Sequence, residues 1–258
     1  MKQTTTRPSG GTATAVIVAV TAAVIVLILA LAIFVKDPPA EPSAPPAITY
    51  PEYSTDAPVP NADMAAVRAE IDSMRVSDFT ETVRQTQYVK ISVRDYGDMV
   101  IRLRPDIAPL TVKNFQKLVM DKFYDGLTIY RVVKGFAIQS GDPNGDGSGG
   151  SDATVPGEFT SNGVRNDLSH IRGVISMARK ADGYDSATSQ FMICNADAAA
   201  DTLDGTHAGF GYVVAGLETL LMISEAEVTA GSGEVSRPVV PIVIEKIGFV
   251  TPKPQNNA

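Results

Sequence analysis

The run Ala15–Val35, AVIVAVTAAVIVLILALAIFV, holds twenty-one residues without a charge, and Thr21 is its only polar side chain. As a helix rising about 1.5 Å per residue it is roughly 30 Å long, the thickness of a bilayer hydrocarbon core. A secretory signal core is shorter, about 7–15 apolar residues ahead of a small-residue cleavage site. Ala30 and Ala32 could form such a site, which leaves cleavage as the alternative to a retained helix. No cysteine directly follows the run, so lipoprotein processing is excluded. Lys2 and Arg7 precede the segment, whereas Lys36 is followed by Asp37, Glu41 and Glu52. The excess of positive charge on the short side predicts residues 1–14 in the cytoplasm, a single transmembrane helix over 15–35, and the remainder outside the cell membrane.

Residues 36–61 contain prolines 38, 39, 42, 45, 46, 51, 58 and 60. That density prevents a helix and favours an extended polyproline spacer. Over residues 62–85, Met64, Val67, Ile71 and Met74 share one helical face and predict a short amphipathic connector that packs on the domain or extends the stalk. From Thr86 the period changes to two. Tyr88, Val89, Ile91 and Val93 read as a strand, Asp95–Asp98 as a turn, and Met99, Ile101 and Leu103 as the returning strand. Pro109 opens a helix whose buried stripe is Val112, Phe115, Leu118 and Val119. Short strands and glycine-rich loops continue to a last strand over Val239–Val250. Many short strands with few helices predict a mainly β domain, a closed antiparallel barrel, over residues 86–250, followed by a disordered tail over 251–258.

A net charge of -7 repels phosphate backbones and argues against a nucleic-acid partner. One cysteine, Cys194, cannot form an intramolecular disulfide, and with only His170 and His207 no zinc-ligand cluster has metal spacing. Three patterns in the stretch Asp142–Gly150 invite chemistry that the residues do not support. Asp142, Asn144 and Asp146 match the first half of an EF-hand loop, but its twelfth position is Ala153 rather than a bidentate glutamate. Ser148 has a protease-like setting, yet both histidines lie downstream of it. The glycines lack the Lys-Ser or Lys-Thr of a phosphate loop. Cys194 lies in the apolar run Phe191–Cys194 and reads as a buried thiol rather than the nucleophile of a pair with His207.

Four blocks point elsewhere, in one consistent order. Pro105–Phe115 (PDIAPLTVKNF) fits a first helix. Ile129–Gly150 (IYRVVKGFAIQSGDPNGDGSGG) resembles the cyclophilin signature. Arg172–Ala178 with Ser186–Ile193 resembles the second conserved block, and Leu203–Gly211 (LDGTHAGFG) the third. The chain is thereby identified as similar to cyclophilin-type peptidyl-prolyl cis-trans isomerases over essentially all of residues 86–250. The resemblance implies an eight-stranded antiparallel barrel closed by two helices, proline-containing polypeptides as partners, and a monomer.

The reaction so implied is rotation about an Xaa–Pro amide, whose barrier is about 18–20 kcal/mol. No bond forms or breaks, so no cofactor, metal or nucleophile is required, only tighter binding of the twisted amide than of either planar form. In the twisted state the proline nitrogen recovers its lone pair, and a fixed donor aimed there binds that state selectively. By the resemblance, Arg131 is that donor and Gln139 orients it. Phe136, Met192 and Leu203 form the apolar pocket for the proline ring, with His207 at its rim. Ala137, Ala178 and Gln190 complete the groove. Read without the family, Arg131 is an ordinary strand-end arginine and Phe136, Met192 and Leu203 are plain core. The chain departs from the pattern at Ala137 (usually Met), Met192 (usually Phe), Thr202 (often Trp), Arg179 (usually Asn) and Tyr130 (often His). Less apolar area at Ala137 and Met192, at about 25 cal/mol per Å², predicts weaker proline binding and reduced activity, and Thr202 predicts poor affinity for cyclosporin. The expected role is an isomerase for exported proteins at the outer face of the membrane. The competing reading is a peptide-binding scaffold with little or no turnover.

Overall fold

The structure, a computed structural model, describes residues 63–231 and 233–254. The expected cytoplasmic segment, membrane helix and proline-rich spacer lie outside the described residues. Among the described residues no helix is long and apolar enough to cross a membrane.

The elements run α1 (Met64–Glu70), β1 (Phe79–Glu81), β2 (Tyr88–Val93), β3 (Gly97–Leu103), α2 (Pro109–Met120), β4 (Thr128–Ile129), β5 (Arg131–Val133), β6 (Ala137–Ser140), β7 (Val174–Met177), β8 (Phe191–Cys194), α3 (Ala200–Leu203), β9 (Gly209–Ala215), α4 (Leu217–Ser224), β10 (Val228–Ala230), β11 (Val235–Pro238) and β12 (Ile242–Pro252). The period-two reading of the first hairpin holds. Val89 faces Ile101 and Ile91 faces Met99 across β2 and β3, so alternate residues enter one core.

The fold is mainly β and antiparallel, but the pairing differs from the expected closed eight-stranded barrel. Nine strands run in the order β1-β12-β2-β3-β9-β7-β8-β6-β5, β4 is the tenth strand of the sheet, and among the described residues no ladder joins β1 to β5. Instead β4 pairs with β12 over two positions, Ile129 with Ile242 and Thr128 with Val243. The cause is a break at Tyr130, which leaves β4 on β12 while β5 pairs with β6. Register shifts in β3, β7 and β12 bend the same sheet. The last strand starts at Ile242 rather than Val239, since Pro241 has no N–H for a ladder. It runs on to Pro252, and Lys253 donates to the Asp78 carbonyl, so residues 251–253 belong to the fold rather than to a disordered tail.

Two helices fill the main core. Val112, Phe115, Leu118 and Val119 of α2 and Leu220 and Ile223 of α4 pack with the inner residues of β2, β3 and β9. Pro109 starts α2 as expected, but Ala108 supplies no side-chain cap. The buried carboxylate of Glu158 does so from afar, accepting the N–H groups of Leu110 at 3.0 Å and Thr111 at 2.8 Å.

The connector is part of this domain. Met64, Val67, Ile71 and Met74 lie on a second cluster formed by Val100, Tyr212, Val214, Val174 and Leu168, on the sheet face turned away from the main core. Glu70 accepts hydrogen bonds from the Tyr212 hydroxyl at 2.5 Å and from Arg102, which holds its carboxyl below the ordinary range despite partial burial. With α1 in place, all seven residues of β9 are buried.

Val67→Ala removes two methyl groups from a site 1% exposed and is expected to lower the unfolding free energy of the full chain by about 1.5 kcal/mol, at about 0.8 kcal/mol per group. Urea unfolding measures it, and an unchanged midpoint would separate α1 from the folded unit.

Candidate active site

The site is built on four adjacent strands. Cross-strand pairing sets Arg131 against Gln139, Gln139 against Met192, and Met192 against Ser176, so one row runs across β5, β6, β8 and β7. The β5–β6 hairpin turns at Lys134–Gly135, where Gly135 takes φ +76, and Phe136 donates its N–H to the Val133 carbonyl at 3.1 Å. The tight turn brings Arg131 and Phe136 together, with the guanidinium carbon 5.7 Å from the ring centroid.

A chain of side-chain hydrogen bonds fixes the polar part. Arg131 Nη1 donates to Gln139 Oε1 at 3.4 Å, and Gln139 Nε2 donates to Gln190 Oε1 at 3.0 Å. Gln190 also accepts from the Tyr130 hydroxyl and donates to the carbonyls of Gly147 and Gly149, tying the row to the glycine-rich loop. Arg131 Nε donates to Glu234. With Nε on Glu234 and Nη1 on Gln139, Arg131 stands on the wall of the cavity. Burial, with Asp142 nearby, pushes the Tyr130 phenol well above its usual range and keeps it a neutral donor. The loop itself is organised by Asp142, 1% exposed, whose carboxylate accepts the N–H groups of Asn144, Asp146 and Gly147. Those oxygens are engaged in turning the chain.

The apolar residues named from sequence also meet. Ala137, Ala178, Met192 and Leu203 are buried in one cluster with Cys194 and Ala199, and Phe136 packs against it. His207 follows α3 and donates its N–H to the Leu203 carbonyl at 3.0 Å. A cavity of about 460 Å³ takes in Tyr130, Arg131, Gln139, Ala178 and Gln190, but Phe136, Met192, Leu203 and His207 do not line it. Ala178 belongs to both the cavity wall and the apolar cluster, so the two adjoin there. Cys194 is fully buried opposite Ala137, and desolvation pushes its thiol up to about 12, as suits an inert core residue.

Several contributors were assigned no role from the sequence. Arg179 stacks on Tyr184 at 5.0 Å and Phe159 at 5.5 Å and donates to the Thr206 carbonyl at 2.9 Å, so the residue in place of the family's asparagine braces the loop carrying His207. His170 bonds Asp204 at 2.7 Å and Ser176 at 2.8 Å. The order Ser-His-Asp is that of a hydrolase, but Ser176 is fully buried and no substrate reaches it. The trio instead ties the end of α3, which carries Leu203, to strand β7.

The family model for "Cyclophilin type peptidyl-prolyl cis-trans isomerase/CLD" matches residues 88–249. The chain belongs to the cyclophilin-type peptidyl-prolyl cis-trans isomerases. It is 39% identical to peptidyl-prolyl cis-trans isomerase B of Bacillus subtilis over 136 residues, covering 53% of this chain and 90% of that protein. It is 36% identical over 197 residues to peptidyl-prolyl cis-trans isomerase-like 2 of Rhizopus delemar, covering 75% of this chain but only 34% of that longer protein. The fold is similar to a Cryptosporidium parvum cyclophilin crystallised in the presence of the dipeptide Ala-Pro, with a TM-score of 0.55 and 29% identity over 63% of this chain and 98% of that one.

In this cyclophilin, burial first and then the positive charge of Arg179 lower His207 to about 4, so the imidazole is neutral at physiological pH. A rate profile between pH 5 and 8 should show no ionisation from it, and His207→Gln should leave the profile's shape unchanged. Its depressed pKa contributes stability that is present above the ordinary value of 6.5 and lost as pH falls towards 4. Thermal unfolding across that window should show a shallower loss in His207→Gln than in the parent.

Proposed function

We propose that this cyclophilin catalyses cis-trans rotation about Xaa–Pro bonds in exported polypeptides at the outer face of the membrane. The observation that carries the catalytic reading is Arg131, held at Nε by Glu234 and at Nη1 by Gln139 on the wall of the groove. Arg131 donates to the pyramidal proline nitrogen, and Gln139 orients it through a network anchored on Gln190. Phe136, Met192 and Leu203 receive the ring at the apolar cluster, His207 sits at the rim, and Ala137, Ala178 and Gln190 flank the substrate chain. The Ala-Pro dipeptide named with the Cryptosporidium structure supports a ligand of this class. The apolar run 15–35 and the proline-rich spacer 36–61 support the location, with the charge asymmetry around the run giving its direction.

The small side chain of Ala137 and the unbranched Met192 favour a second reading, a peptide-holding module with little turnover. One assay separates the two. The full chain should accelerate cis-to-trans exchange in a proline tetrapeptide, and Arg131→Ala should cut that rate about 100-fold, the usual effect of removing an aimed transition-state donor. Peptide binding without acceleration by the parent chain would establish the holding module instead. Intact cells bearing the chain should turn over a peptide that cannot cross the membrane, and failure there would overturn the outward orientation.

A further inference from the structure

We propose that Glu234 is the positioning residue for Arg131: its carboxylate, delivered by the β10–β11 hairpin, fixes the guanidinium in the orientation that presents Nη2 to the substrate amide. The inference rests on Arg131 being the catalytic donor.

An arginine side chain has several rotatable bonds, and a donor works on a transition state only if its direction is set beforehand. Two acceptors are available to set it. Gln139 accepts from Nη1 at 3.4 Å, near the outer limit for a hydrogen bond, and contributes a neutral amide oxygen. Glu234 accepts from Nε with an ionised oxygen at close range. The charged contact is therefore the stronger of the two. It takes Nε alone, so it holds the guanidinium without engaging either Nη2 hydrogen. The Phe136 ring, 5.7 Å from the guanidinium carbon, completes the seat.

Glu234 is itself held. β10 and β11 pair antiparallel, with Thr229 facing Arg237, and the turn between them is closed by the Gly231 N–H on the Glu234 carbonyl at 2.7 Å. Ser236, 3% exposed, hydrogen bonds the carboxylate, and Arg237 donates to the Gly145 carbonyl at 3.2 Å, fastening the hairpin to the glycine-rich loop. The Arg131 guanidinium holds the Glu234 carboxyl below its ordinary range, so the contact is an ion pair throughout the working pH range. The pair adds little to the stability of the fold, because the two side chains are 25% and 42% exposed and exposed ion pairs contribute little. Removing Glu234 should therefore disturb catalysis without disturbing folding.

The test is a set of full-chain variants, Glu234→Ala, Glu234→Gln, Arg131→Ala and the double variant Arg131→Ala with Glu234→Ala, assayed on a proline tetrapeptide by exchange NMR. Glu234→Ala should lower kcat about tenfold with KM unchanged and the same melting temperature, in line with the cost of a loosened catalytic group. Glu234→Gln, which keeps an acceptor for Nε, should recover most of the rate. In the Arg131→Ala background, Glu234→Ala should have no further effect, since it acts only through the guanidinium. A Glu234→Ala rate at or above that of the parent, a Glu234→Gln rate no better than Glu234→Ala, or penalties that multiply in the double variant would each overturn the inference. An Arg131→Ala chain that turns over like the parent would instead overturn the reading of Arg131 on which the inference rests.

Discussion

The pairing of Arg131 with Gln139 across the β5–β6 hairpin is the constraint from which the rest of the site follows. Gly135 lets the chain reverse within a few residues, which puts Arg131, the Gln139 amide and the Phe136 ring on one short ribbon. β8 then sets Met192 beside Gln139 and Gln190 within reach of it, and β7 sets Ser176 under Met192. A one-residue slip in any of these ladders would turn a functional side chain to the opposite face. The main core resists such a slip, because the same strands place Val132, Ile138, Ile175 and Ile193 inside it.

The second constraint is burial of the sheet on both faces. Phe210 and Val213 of β9 enter the main core, while Tyr212 and Val214 of the same strand meet α1 on the other side. An antiparallel strand that is apolar on both faces requires such a cover. The Arg68–Asp197 ion pair further links α1 to the segment leading into α3, whose Leu203 belongs to the apolar cluster of the site.

How far all this could be read from sequence depended on range. Local patterns were transparent: the alternation of β2 and β3, the proline that opens α2, and the family blocks that named Arg131, Gln139 and the apolar residues, which the fold does gather. Sequence alone could not show that Ala178 lines the polar cavity while Phe136, Met192 and Leu203 do not, since that depends on which way neighbouring side chains lean. It also could not show how the sheet would return on itself, because only the paired structure reveals that the ladder divides at Tyr130. Tertiary capping was equally hidden: Glu158 lies 47 residues from the Thr111 N–H it accepts. Glu234, 103 residues from Arg131, sits in a turn with no motif. The run Gly209–Ala215 did carry a signal, since seven apolar or small residues in a row demand cover on two sides, and the amphipathic face of residues 64–74 was the piece that fits it.

On the proposed function, an aimed planar donor, rather than positive charge alone, lowers the barrier to rotation. Arg131→Lys tests it most directly, because lysine keeps the charge and loses the rigid fork of N–H groups. In exchange NMR on a proline tetrapeptide, Arg131→Lys should turn over at a rate close to that of Arg131→Ala, with peptide binding retained. A lysine variant that isomerises the peptide as fast as the parent chain would contradict it.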